Sequence, residues 1–142
     1  MKFLLDTCLL SELVKPRPDP AVIAWVDQQD ESRLFLSVLT LGELRKGVER
    51  LKDGGKRIRL GQWIDEALLP RFATRLLAID SDVAEQWGRI TAQANAKGFV
   101  LPVIDGLIAA TGLVHGLTVV TRNVSDIQIS GVSVFNPWEK IP

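Results

Sequence analysis

Four acidic residues stand where their neighbours give a solvated charge little reason to be. Asp6 closes the apolar run Phe3-Leu4-Leu5, and Glu43 sits beside Leu41 and Leu44 with Gly47 one turn on. Asp105 lies between Ile104 and Gly106-Leu107-Ile108 in a stretch almost free of charge, and Asp126 follows Thr121-Arg122-Asn123. Singly, each has a local reading. Asp6 can cap a helix, Glu43 can complete a capping box with Thr40, Asp105 can suit a helix N-terminus, and Asp126 can shape a turn. Together they read differently. Two carboxylates ~4 Å apart repel by ~4 kcal/mol at an effective dielectric of about 20, so three or four that converge either keep protons or bind a cation. All-oxygen ligands suit magnesium or manganese, ions that polarise a phosphoryl oxygen and activate water.

Convergence requires elements that carry these residues to one place. Lys2–Asp6, Arg33–Ser37, Leu76–Ile79, Leu117–Thr121 and Val132–Phe135 read as short buried strands. Helical spacing and caps place helices between them. One runs from Thr7 to about Val14 before Pro16, and a second is opened by Asp19-Pro20. A third is capped by Ser37 or Thr40, with Leu41, Leu44, Val48 and Leu51 on one stripe. Gly54-Gly55 is expected to break the chain, and a helix resumes from Ile58 to about Leu69, limited by Pro70. Asp80-Ser81 caps a long helix to about Lys97, stopped by Gly98, and Pro102 opens another that Gly116 ends. Alternating strands and helices predict an α/β domain over residues 1–142: three layers, α/β/α, around a central, mostly parallel sheet. In such sheets chemistry gathers outside the carboxyl ends of the strands, the address this reading gives Asp6 and Asp126.

Composition narrows the classes. The 142 residues are 46% hydrophobic and 24% charged, which excludes a disordered tail. The single cysteine, Cys8, excludes a disulfide framework, and its acidic neighbour argues against a reactive thiolate. No apolar run approaches the ~18 residues that span a bilayer, and no signal-peptide core is visible, so a soluble cytoplasmic domain without membrane contact is expected. The single histidine, His115, precedes Gly116 at a helix C-terminus, where the dipole favours an imidazolium, and no catalytic or ligand role is expected of it because the four acids suffice. The formal net charge of zero conceals an asymmetry: Arg45–Gln62 holds seven basic and two acidic residues. That segment is either a solvated hairpin or a ridge whose Arg45, Lys46 and Arg50 meet nucleic-acid phosphates, with Trp63 nearby for stacking.

Leu4-Leu5-Asp6-Thr7, Ser11-Glu12, Thr40-Leu41-Gly42-Glu43 with Gly47, Ile104-Asp105-Gly106-Leu107-Ile108-Ala109-Ala110, His115-Gly116-Leu117, Thr121-Arg122-Asn123 and Asn136-Pro137-Trp138 occur in that order. The series resembles PIN-domain proteins of the VapC type, close to the FitB-like subgroup, over essentially the whole chain. The resemblance implies a Mg²⁺-dependent endoribonuclease (Mn²⁺ as the alternative ion) that is the toxin of a type II toxin–antitoxin pair. Asp6, Glu43, Asp105 and Asp126 match the family's acidic quartet, Asp6 and Asp105 its principal metal ligands, and Thr121 a supporting hydroxyl. Cys8 stands where the family usually has Asn, and Ile127 where it usually has Phe. Neither departure removes a carboxylate.

The resemblance also implies partners: a small cognate antitoxin, an RNA substrate, and a second copy of the chain in a homodimer or larger assembly. DNA would be met only through the antitoxin. An alternative of a different class stays open, a regulatory module that works mainly as a DNA-bound complex with its antitoxin and has little nuclease activity. A phosphoacceptor receiver domain also has an acidic magnesium pocket, but a lysine is expected after its late strand, where this chain has Arg122. A dehalogenase-type phosphatase needs Asp two residues after the first acid, where this chain has Cys8.

Overall fold

A strand covered on both faces must be apolar at every position, and Phe3–Leu5 (β1) is fully buried throughout. A computed structural model of the chain describes residues 1–139; residues 140–142, the end of the expected domain, lie outside the described residues. The remaining strands are Leu34–Ser37 (β2), Leu76–Leu77 (β3), Thr118–Val120 (β4) and Val134–Phe135 (β5). They form one sheet in the order β3-β2-β1-β4-β5, with every pairing parallel. The register sets Phe3 beside Leu34 on one side and Thr118 on the other.

Alternation along the strands divides the core in two. Phe3, Leu5, Leu34, Leu36 and Val120 face one cluster. There they meet Leu9 and Leu10 of Thr7–Leu13 (α1), Val22 and Val26 of Pro20–Gln28 (α2), and Leu44 and Val48 of Val38–Glu49 (α3). Leu4 and Val119 face the opposite cluster, with Val83, Ile90 and Ala94 of Ser81–Ala96 (α6), Ile108 and Ala109 of Val103–His115 (α7), and Ile127 of Val124–Gln128 (α8). The result is the expected α/β/α sandwich.

Between α3 and α6 the chain departs from expectation. Gly54-Gly55 opens a helix instead of interrupting one: Asp53 caps Gly54–Gln62 (α4), its Oδ1 accepting from Lys56 N at 3.1 Å. Nor does Pro70 stop the chain. A π-helical turn over Trp63–Leu68 leads into Leu69–Phe72 (α5), and the Leu69 N–H donates to the Ile64 carbonyl five residues back. Pro70 then falls in the first turn of α5, where a missing N–H is tolerated. A short 3₁₀ turn at Glu31–Arg33 takes Arg33 out of β2, and α8 occupies a stretch that carried no helical expectation. Gly116 ends α7 in the left-handed region at φ 66°, as its position after the last helical residue predicts.

Candidate active site

Because β1 leads leftward in the sheet order and β4 rightward, their carboxyl ends flank the point where the connections diverge. α1 leaves β1 toward one face and α8 leaves β4 toward the other, the geometry that opens a crevice in parallel sheets. Asp6 is the first residue beyond β1 and Thr121 the first beyond β4, and both are buried.

Asp6 is held by two close donors from its own fold, with the Cys8 thiol a weaker third at 3.9 Å from Oδ2. Its Oδ1 accepts from Thr7 N at 2.8 Å, which makes it the N-cap of α1, and its Oδ2 accepts from the Thr121 hydroxyl at 2.8 Å. The helix cap and the candidate site residue are therefore the same carboxylate. Thr121 Oγ1 in turn accepts from Asn123 N at 3.0 Å. Burial raises the Asp6 carboxyl above its ordinary value against the pull of these hydrogen bonds, and the Glu43 charge adds to the rise.

Glu43 is not part of a capping box. Ser37 caps α3, accepting from Leu39 N at 3.1 Å, so Thr40 lies inside the helix, its buried hydroxyl unpartnered. One turn further on, Glu43 reaches across to α1, where Thr7 Oγ1 donates to its Oε1 at 2.7 Å. Asp105 occupies the first turn of α7, where the helix dipole favours a charge. Burial and neighbouring charges oppose the dipole. Burial, then the charges of Asp6, Asp126 and Glu43, push its carboxyl up to about 6, and the 2.9 Å hydrogen bond from Asn123 Nδ2 recovers only part of that.

Asp6, Glu43 and Asp105 line one open depression with Thr7, Cys8, Ser11, Arg122 and Asn123. Asp126, on α8, is half-buried outside that lining and acts on Asp105 through its charge. Among the described residues none of the four acids takes part in an ion pair, and no three acid, thiol or imidazole side chains stand close enough to hold a metal ion by themselves. Cys8 Sγ lies 3.6 Å from Thr121 Oγ1 and accepts from Arg122 N at 3.4 Å. Burial first, and the Asp6 charge further down, raise its thiol, which makes it a packing residue rather than a nucleophile.

Thr7 and Asn123, which orient Glu43 and Asp105, carried no assigned role in the sequence reading. Their only local signal was direct attachment to Asp6 and Thr121. Of the basic candidates, Lys46 and Arg50 are exposed, while Arg45 forms an ion pair with Asp65. Trp63 is partly buried, packs against the core cluster on the α1 side and lines an apolar groove there rather than the carboxylate depression. His115 is exposed at the C-terminus of α7, the end opposite Asp105.

The family model described as PIN domain matches residues 3–126. The chain is 40% identical over 135 residues to VapC ribonuclease Y4jK of Sinorhizobium fredii (strain NBRC 101917 / NGR234), covering 95% of this chain and 96% of that protein. It is 40% identical to Toxin FitB of Neisseria gonorrhoeae (strain ATCC 700825 / FA 1090), over 95% and 97%. A solved structure of FitAB bound to an IR36 DNA fragment superposes with a TM-score of 0.93 at 37% identity, over 99% of this chain and 98% of that one.

Proposed function

The chain belongs to the PIN-domain family that includes VapC ribonucleases and the FitB toxin, and on that premise we propose that it is a divalent-metal-dependent endoribonuclease, the toxin of a type II toxin–antitoxin pair. The observation that carries this reading is a set of carboxylates at the switch point of the sheet, held by neutral donors and, among the described residues, in no ion pair. Such a set fits a hard cation. Magnesium commonly takes one or two carboxylates and keeps several waters, so Asp6 and Asp105 suffice as direct ligands and a third close acid is unnecessary. Manganese shares that preference for oxygen.

When bound, the ion supplies Lewis acidity toward a phosphoryl oxygen and a more acidic water. The chain supplies the rest. Thr121 and the start of α1 fix both oxygens of Asp6. Asn123 aims one oxygen of Asp105 and leaves the other free. Glu43, held by Thr7, and Asp126, on its short helix, complete the negative field. Of the two, Glu43 lines the depression and Asp126 does not, so Glu43 is placed to orient or accept a proton from the attacking water.

The test is cleavage of a folded RNA with Mg²⁺ or Mn²⁺ by the parent and Asp6→Asn. Cleavage by the parent alone, abolished by a chelator, is expected; equal, chelator-insensitive cleavage by both removes the reading.

A second reading is favoured by one specific feature. A mostly apolar groove lined by Val14, Leu44, Val48, Leu51, Leu60 and Trp63 runs up to Glu43 and Thr7. It fits an apolar segment of an antitoxin, and a cationic side chain on that segment would reach the carboxylates. In this reading any DNA contact passes through the partner, in keeping with the similarity to a FitAB complex solved on a DNA fragment. A protein inert on every RNA offered, yet tightly held in such a complex, would be this module.

The connection from α6 to α7, with the first residue of α7, supports self-association. Phe99, Val100 and Val103 are 49%, 85% and 59% exposed, an apolar cluster beside Asp105 that a lone subunit leaves in water. We propose that it seats a second copy. A dimer by light scattering is expected for the parent and a monomer for Val100→Glu; a monomeric parent at tens of micromolar contradicts the proposal. Among the described residues no helix is long and apolar enough to cross a membrane.

A further inference from the structure

The pocket attracts a metal and repels RNA, since every acid that favours the ion opposes the phosphodiester. Among the described residues, one cationic side chain lines the depression: Arg122. Its position is fixed from two sides. The guanidinium carbon lies 4.4 Å from the centre of the Trp138 ring, and Nη2 donates to Glu12 Oε1 at 3.4 Å. Glu12 is itself an anchored group, 3% exposed, with the same Oε1 accepting from Trp138 Nε1 at 2.8 Å and from Lys15 Nζ at 3.3 Å. One carboxylate is thus shared by two cations, and a surplus positive charge remains. The Arg122 side chain stays 55% exposed, and among the described residues one of the five N–H donors of its guanidinium is engaged. Stacking and the Glu12 contact orient the fork, and a pre-oriented planar fork matches two phosphate oxygens in a way a lysine cannot.

We infer that Arg122 is a substrate-binding residue of the site, taking a backbone phosphate of the RNA at the rim of the carboxylate depression, with Glu12 and Trp138 as its positioning residues. This inference rests on the nuclease reading above. It assigns work to Ser11-Glu12, Arg122 and Asn136-Pro137-Trp138, which the carboxylate chemistry leaves unused: residues from three distant parts of the sequence hold one cation over one site.

The experiment is steady-state cleavage of a single-stranded RNA in magnesium at several salt concentrations, for the parent, Arg122→Gln and Arg122→Lys. Loss of one phosphate contact should raise KM about tenfold in Arg122→Gln with kcat nearly unchanged. It should also flatten the slope of log(kcat/KM) against log[salt] by about 0.7. Arg122→Lys should keep the slope, because the charge remains, and still raise KM several-fold because the fork is lost. A residue that merely staples the C-terminal segment would lower the melting temperature and leave the salt slope alone. Unchanged KM in Arg122→Lys, or an unchanged slope in Arg122→Gln, overturns the inference while the parent's cleavage stands. A parent that cleaves no RNA in magnesium overturns the nuclease reading and this inference with it.

Discussion

An Asp105→Asn protein is expected to cleave RNA at least about a hundredfold more slowly than the parent, and in the absence of metal to melt at a higher temperature near pH 7.5. The two effects have one cause. Asp105 is kept ionised at neutral pH against burial and against the charges of Asp6, Asp126 and Glu43. A ligand carboxylate under that pressure is destabilising until a cation arrives, and removing the charge removes both the cost and the function. Loss of groups that merely orient metal ligands costs about 10- to 100-fold, so loss of a ligand itself should cost at least as much.

The pH dependence follows from linkage. In the unfolded chain Asp105 loses its proton near its ordinary 3.8, and in the fold near about 6. Between those values the native state binds the extra proton. Its contribution to stability is therefore full below about 4 and is lost as pH rises through about 6. Two units correspond to about 3 kcal/mol. Asp105 is only half-buried, so solvent screening reduces the figure to about 1 kcal/mol, about 3 °C in melting temperature for a domain of this size. Magnesium should raise the melting temperature of the parent and not of the variant. Thermal scans at pH 5 and pH 7.5, with and without metal, read all of this. A variant that cleaves at the parent's rate, or that is stabilised equally by magnesium, contradicts the assignment.

Gly112→Ala is expected to destabilise the protein by about 2 kcal/mol, although alanine in a helix interior is intrinsically favoured over glycine by about 1 kcal/mol. The added Cβ would stand 2.9 Å from Val132 Cγ2, 3.1 Å from Val119 Cγ2 and 3.2 Å from the Leu117 carbonyl oxygen. Side chains can rotate away; a backbone carbonyl leading into β4 cannot. Overpacking of that kind costs about 1–3 kcal/mol beyond any propensity gain. The helix that must move is α7, which carries Asp105 at its other end, so cleavage should fall together with stability. Gly88→Ala is the matched control. It lies inside α6 with nothing within 4 Å of the added carbon, and should stabilise by up to about 1 kcal/mol. Equal melting temperatures for the two variants would show that α7 does not rest on β4 as closely as described.

The parts of this molecule legible in sequence are those governed by nearest neighbours. β1 could be placed because Phe3-Leu4-Leu5 admits no exposed face. Asp105 drew attention because Ile104 and Gly106-Leu107-Ile108 around it form a stretch almost free of other charge. What sequence could not resolve depended on long-range partners or on competing local signals. Glu43 looked like half of a capping box because Thr40 has the right spacing, and the helix begins three residues earlier only because β2 ends at Ser37. Pro70 looked like a stop because its missing N–H is visible in sequence, whereas the π turn that precedes it is not. α8 is five residues long, too short for periodicity to register. The Glu12–Trp138 bond spans 126 positions, and no spacing rule reaches that far. The Arg45–Asp65 pair likewise reduced a ridge of apparent phosphate ligands to Lys46 and Arg50 as the residues left free on α3 and its end.

The central claim is that Asp6 and Asp105 hold the divalent ion on which RNA hydrolysis depends. It is tested most directly by titrating Mn²⁺ into the protein and reading bound metal by electron paramagnetic resonance and RNA cleavage in the same samples. The account predicts that cleavage by the parent rises in proportion to bound Mn²⁺, and that Asp6→Asn, folded by circular dichroism, loses both together. Cleavage that persists with no metal bound, or Asp6→Asn that binds Mn²⁺ and cleaves as the parent does, would contradict it.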